Sequence, residues 1–306
     1  MTSVLTTLGP VLSAIIPVFL VVGLGYLVRR RFALDARTLA TLNIYVFIPA
    51  LIFGNLSRRA IEWSLFGRCA LAMAVLVAAM TALLTTVARV RRMEPDLKSA
   101  FVMTLFTNLG NFGLPVVAFA FGKTEGLPLA VVVMVCGSFL QNSVGIYFAQ
   151  RSRHTAARAL VRVLRFPMIY AFALSLLFQR MHWGLPEAVA RAVDITADAA
   201  IPVQLMVLGL KLAETRLDTG FDVFLACFFR LCAGPVVAFA AARLAGLEDL
   251  ALKVFVLQLS GPVAVGMAVY GVQFNIRPGF LASVVSWTFL LSSVTVGAVL
   301  AILYRI

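Results

Sequence analysis

A charge-free apolar run from Ser99 to Gly122 is interrupted at its centre by Thr107-Asn108-Leu109-Gly110-Asn111-Phe112-Gly113-Leu114-Pro115. About 20 apolar residues suffice for a membrane-spanning helix. Two Asn, two Gly and a Pro are the residues least compatible with an unbroken one. In hydrocarbon every freed backbone group must find a partner, so broken backbone survives only where it is buried or lines a wet cavity. The run therefore reads as a helix broken on purpose, with two half-helix ends facing a polar ligand. Interrupted spans in matching positions of two halves are the sequence mark of a transporter's binding site.

A second interruption lies about 150 residues later. Gln258-Leu259-Ser260-Gly261-Pro262-Val263-Ala264-Val265-Gly266 divides the charge-free run Val254 to Ile276, and Leu97-Lys98 and Leu252-Lys253 precede the two breaks. The chain is 62% hydrophobic and 13% charged over 306 residues, a balance that excludes a soluble domain and defines an all-α polytopic membrane protein. The net charge of +13 sits between apolar runs, where basic residues set topology, so no nucleic-acid partner is read from it. Cys69, Cys136, Cys227 and Cys232 all fall inside apolar runs and read as small buried apolar residues. Gly9 to Val28 is too long for a signal-peptide core and reads as the first span.

Charge-poor runs give ten spans, near 9–28, 38–57, 66–88, 98–122, 127–149, 163–180, 188–210, 221–243, 250–273 and 279–303. The sixth has the shortest charge-free part, Phe166 to Gln179. Sixteen Lys and Arg fall on one set of connections, including Arg29-Arg30-Arg31, Arg89, Arg151 to Arg165, Lys211 and Arg277, and nine on the other. That bias puts both termini outside, in the periplasm of a bacterial inner membrane. The bacterial assignment follows from compactness and from 22 Arg against 4 Lys. Pro17 pairs with Pro167, Ile48-Pro49 with Ile201-Pro202, and Leu97-Lys98 with Leu252-Lys253, at separations of 150, 153 and 155. Residues 1–150 thus form a first five-helix repeat, 151–165 a basic cytoplasmic connector, and 166–306 a second repeat. An odd number of spans per half makes the repeat inverted.

These residues resemble the auxin efflux carrier family, which includes plant auxin exporters and bacterial carriers of malonate-like carboxylates. The most specific piece is Asn108-Leu109-Gly110-Asn111-Phe112-Gly113-Leu114-Pro115. Gly25 to Arg30, Ile48 to Phe53, Arg230 to Pro235 and Phe274-Asn275-Ile276-Arg277-Pro278 add to it. The resemblance implies a ten-helix, five-plus-five inverted fold whose fourth and ninth helices cross at their breaks in a mobile transport domain of helices 3–5 and 8–10. Helices 1, 2, 6 and 7 would form a scaffold that can dimerise. Unlike the plant exporters, this chain lacks a long central loop and carries Val263 after the proline of its second break. By resemblance, Asn108 occupies the position of a substrate-contacting asparagine.

Crossed broken helices bring half-helix dipole ends and unpaired N–H groups around one point, which favours an anion. Asn108 and Asn111 add amides, Gly110 and Gly113 allow close backbone approach, and Pro115 suits the start of the second half-helix. Gln258, Ser260, Gly261 and Pro262 are the counterparts in the other repeat. These residues either contact substrate or only cap the broken ends. Gln141, Asn142 and Ser143, deep in the fifth span, either join the site or bond between helices. Asn43 reads as structural. Arg230, mid-span in the eighth helix, counters a substrate carboxylate, snorkels, or braces the broken helices. Asp194 and Asp198 share a helix face. Asp198 is a candidate for proton or cation coupling, if burial raises its pKa, or else an acid at a helix end. His154 and His182 sit in connections, and no metal site or cofactor is indicated.

The expected function is secondary-active, alternating-access transport of a small organic anion, a mono- or dicarboxylate. Proton or sodium coupling is left open. A channel-like uniporter is the alternative mechanism. An intramembrane enzyme would need His, acid or nucleophile clusters that the spans lack, and no Walker-type run is present.

Overall fold

The computed structural model describes residues 2–58, 63–145, 147–148, 167–214 and 217–306, without the side chains of residues 2–8, 142 and 143. The connector expected at 151–165 and His154 lie outside the described residues, and so does the side chain of Asn142.

Regular structure among the described residues is helical. Helices α1 (Thr2–Arg31), α2 (Ala36–Leu56) and α3 (Trp63–Val90) come first. Next are α4 (Pro95–Met103), α5 (Leu114–Phe121) and α6 (Leu127–Leu140). The second half holds α7 (Pro167–Met181), α8 (Glu187–Glu214), α9 (Phe221–Leu244), α10 (Asp249–Leu259), α11 (Val265–Gln273) and α12 (Pro278–Leu303). Among the described residues, seven stretches are long and apolar enough to cross a membrane: α1 from Gly9, α2, α3, Leu109–Leu140, α8, α9 and α12. Helices α4, α7, α10 and α11 are individually too short. Breaks account for three of them, and α7 has only 15 residues.

Local chemistry explains the ends. Pro95 and Pro278 open α4 and α12, where the missing N–H costs nothing. Asp35 caps α2 by accepting from the N–H groups of Arg37 and Thr38. The Thr38 hydroxyl and these backbone donors hold the Asp35 carboxyl below its usual range. Five π-helical turns among the described residues, at Asn43–Phe47, Leu109–Gly113, Gly122–Gly126, Gln141–Gly145 and Phe229–Ala233, were not anticipated from sequence. Four of them carry intramembrane polar residues: Asn43, Asn111, Gln141 and Arg230. Such turns displace a side chain from regular helical register and recur at functional sites.

Helices α1, α2, α7 and α8 pack on one another, while α3, α6, α9, α10, α11 and α12 surround the two breaks. The tightest helix pair is α1 against α8. A Cβ on Gly209 would stand 2.1 Å from the Val22 carbonyl oxygen, and one on Gly25 would stand 2.5 Å from that of Met206. Two hydrogens in place of side chains let the backbones touch, the usual way apolar helices associate where hydrophobic burial gives no drive. Cys69, Cys136 and Cys227 are buried, but Cys232 is exposed, correcting the expectation that all four are inside. An apolar run does not reveal which helix face turns outward.

Gly209→Leu should therefore separate α1 from α8 and cost more than the about 1–3 kcal/mol of ordinary overpacking. Gly23→Ala, with nothing within 4 Å of the added carbon, should be silent. Thermal midpoints of the two variants in detergent, read by size-exclusion fluorescence, check the difference.

Candidate functional site

The two interrupted segments meet directly. The Asn108 N–H donates to the Pro262 carbonyl at 2.9 Å, and the Ala264 N–H donates to that of Phe106 at 2.8 Å. Thr107 and Val263 are thereby paired in a single antiparallel bridge. The Val263 N–H donates to Thr288 Oγ1 of α12 at 3.1 Å. Backbone groups that neither half-helix can satisfy are thus satisfied by the other segment or by α12, as an apolar surrounding demands.

Arg230 closes the other side of the junction. It is 1% exposed, and its Nη1 donates to the Leu105 carbonyl at 2.7 Å while Nη2 donates to the Leu259 carbonyl. Leu105 follows α4 and Leu259 ends α10, so one guanidinium fork caps the negative ends of both leading half-helices. Of the three roles open from sequence, the geometry supplies bracing.

Gln258 and Ser260 also face inward. The Gln258 Nε2 donates to the carbonyls of Leu109 (3.0 Å) and Ala130 (3.1 Å), tying α10 to the first break and to α6. Ser260 Oγ donates to the Val256 carbonyl within its own helix. The glycines make room for this lock: a Cβ on Gly113 would stand 2.6 Å from Gln258 Cγ, and one on Gly261 2.9 Å from the Phe112 ring.

A cavity of about 330 Å³ opens beside the junction. Thr107, Asn108, Gly110 and Asn111 line it from the first break, Val265 and Gly266 from the start of α11, and Gln141 and Ser138 from α6 and its π-turn. Asn43 faces it from α2, and Val207 and Lys211 from α8. Asn108 is 6% exposed; its Oδ1 accepts from the Asn111 N–H at 3.1 Å, while its Nδ2 has no partner among the described residues. The buried Thr107 Oγ1 and Asn43 Oδ1 are likewise unpartnered.

A larger cavity, about 720 Å³, lies farther toward the start of α8. It is lined by α5, α2 and the Asp194 to Leu205 part of α8. Lys123 Nζ meets Asp198 at 2.8 Å and Arg58 meets Asp194 at 2.9 Å across its mouth. Both acids are substantially exposed, so the burial that the coupling reading of Asp198 called for is not there; its carboxylate is 69% exposed and ion-paired.

Residues 10–300 match the family model described as membrane transport protein, the model of the auxin efflux carriers. The chain belongs to that family. Over 294 residues it is 29% identical to a transporter of Methanothermobacter thermautotrophicus, covering 92% of this chain and 95% of the relative. A Rhizobium meliloti protein whose name proposes malonate transport is 24% identical over 96% of both chains. Auxin efflux carrier component 3a of Oryza sativa subsp. japonica is 27% identical over 138 residues, 43% of this chain and 22% of the plant protein.

Within this transporter, the sequence-derived candidates divide. Asn108, Gly110 and Asn111 line the smaller cavity; Gly113, Pro115, Gln258, Ser260, Gly261 and Pro262 do not, and hold the junction instead. Asp194 and Asp198 belong to the larger cavity and Arg230 to neither. Two residues went unnoticed as site candidates. Gln204 is fully buried on α8 with both amide atoms unpartnered, and a Cβ on Gly110 would lie 3.9 Å from its Nε2. A lone amide inside the apolar run Ile201 to Leu210 was the available signal. Lys211 was weighed only as a topology marker.

Arg230→Met leaves two buried helix-end carbonyls unpartnered and should cost about 3 kcal/mol, with Arg230→Lys between it and wild type because an ammonium cannot fork. Thermal unfolding measures the loss. Substrate affinity of the protein that remains folded should change little, which separates a brace from a substrate contact.

Proposed function

We propose that this chain is an alternating-access secondary transporter of a small organic anion, a carboxylate bound at the crossing of its two interrupted helices. In this reading ten spans form two inverted five-helix repeats, α1, α2, α7 and α8 are the scaffold, and the remaining helices carry the substrate across. The membrane would be a bacterial inner one, with both termini periplasmic.

The observation that carries the reading is the Asn108 amide: 6% exposed, half-used as a helix cap, and with an unpartnered donor in a residue that lines the 330 Å³ cavity. Such a donor is costly unless something in the working cycle uses it. The start of α11 lines the same cavity and adds the positive end of a helix dipole. The larger cavity, toward the other end of α8, supports access from the second side. The full-length likeness to the Rhizobium protein supports a carboxylate as cargo.

Purified protein in proteoliposomes should give counterflow of a labelled small carboxylate, with efflux accelerated by unlabelled anion on the opposite side. Asn108→Ala should lower kcat/KM by about tenfold or more, the value of one charge-assisted hydrogen bond. Equal flux with and without anion on the far side would indicate a channel, and signals from neutral amino acids or cations alone would remove the anion assignment.

A further inference from the structure

The chemistry of Asn43 is left unused by the carrier reading. Its backbone in the first π-turn of α2 is fully engaged: the N–H donates to the Leu39 and Ala40 carbonyls, and the carbonyl accepts from the Ile48 N–H. The side chain is not. The residue is 3% exposed, and its Oδ1 is buried with no hydrogen-bond partner among the described residues. An amide kept in an apolar helix to tie it to a neighbour would have a donor on that oxygen. The structural role expected from sequence therefore does not account for it, and a polar group at this depth is costly. Asn43 lines the smaller cavity with Ala40 one turn before it and Ile48 one π-turn after it, so this face of α2 is the one turned to the cavity.

The cavity has two unlike sides. The first break and α6 with its π-turn bring Thr107, Asn108, Asn111 and Gln141. The side built by α2, α7 and α8 is apolar apart from Asn43 and Lys211, and Lys211 interacts with Glu214, with which it lines a second cavity. An ionised carboxylate has only acceptor oxygens, so set against Asn43 Oδ1 it would leave that oxygen unpaired. A hydroxyl suits the place. It can donate to Asn43 Oδ1 and still accept from the Thr107 hydroxyl, whose Oγ1 is also buried and unpartnered in a residue lining this cavity, whereas an N–H could only donate. The terminal torsion of an Asn is soft, so the oxygen can turn from the wall to the cavity at little cost. We propose that Asn43 is a specificity-determining residue that accepts a hydrogen bond from a hydroxyl on the carbon skeleton of the transported anion. The carrier then selects hydroxycarboxylates over analogues with a methyl in the hydroxyl's place, because a methyl displaces any water serving the amide and leaves its oxygen unpaired. This inference rests on the carrier reading above and narrows the class of its cargo.

The test uses the full chain in proteoliposomes, read by solid-supported-membrane currents and counterflow, with three pairs that exchange a hydroxyl for a methyl at equal charge. They are lactate with isobutyrate, 3-hydroxybutyrate with 3-methylbutyrate, and tartronate with methylmalonate. In wild type the half-saturating concentration of the hydroxy acid should lie about tenfold or more below that of its partner in at least one pair, the worth of one buried hydrogen bond. Asn43→Leu should raise the hydroxy-acid value about tenfold and move the methyl value less than about threefold, so that the preference collapses. Asn43→Ser, which keeps an acceptor oxygen, should retain part of it. Asn43→Val is the second apolar variant should the Leu form not run as a single species in gel filtration. Ratios near one in every transported pair of the wild type, or transport confined to anions without a hydroxyl, would overturn the role of Asn43. So would a wild-type preference left unchanged by the apolar variants while Asn108→Ala still lowers transport; each of these results leaves the carrier reading standing. No saturable anion signal in wild type would overturn both.

Discussion

Breaking a helix inside hydrocarbon frees carbonyl and N–H groups that no solvent can satisfy, and the whole centre of this protein is organised to satisfy them. Arg230 is the largest single part of that solution. It sits where the C-terminal ends of α4 and α10 converge, each presenting carbonyls with no helical partner and a partial negative charge. One planar cation can reach both, and a mobile ammonium could not hold the same angle. The remaining groups are matched across the crossing by the Thr107–Val263 bridge and by Thr288. The junction thus behaves as one welded body rather than two separate gaps.

That welding divides the labour among polar residues that look alike on paper. Gln258 and Asn108 are both amides at a break, yet one spends its donor on two carbonyls and the other leaves its donor without a partner among the described residues. The second segment is the more closed of the two: its Ser, Gly and Pro positions face protein, and only the start of α11 reaches the cavity. Two breaks that meet at one junction need not be equal in use. One break supplies most of the polar lining and the other mostly supplies rigidity.

Much of this was legible in the sequence because membrane helices announce themselves by length and by the cost of polar atoms. Both breaks, the all-helical class and the place of Asn108 at the junction follow from residues that are expensive where they stand. What was not legible depends on facing. The exposure of Cys232, the pairing of Asp198 with Lys123, and the place of Lys211 among the residues lining the smaller cavity are set by which side of a helix meets which neighbour, and a uniformly apolar run carries little rotational signal. The π-turns were hidden for a related reason. They change the register by one residue at Asn43, Asn111, Gln141 and Arg230 without any compositional mark beyond the polar residue itself.

Gln204 shows how the same reasoning extends to the barrier between the cavities. It lies on α8 between Ile201 and Leu205, which line the larger cavity, and Val207, which lines the smaller. Its amide is wholly buried and satisfied at neither end, beside Gly110 of the first break. A purely static wall would be cheaper with a leucine there, since an unpaired amide costs about 1–3 kcal/mol. On the carrier reading proposed above the cost would have a use: were the junction to shift along α8, the Gly110 backbone and the Asn108 and Asn111 amides would pass this side chain and give it partners. The unpaired amide would then bias the equilibrium between two states rather than the stability of the fold.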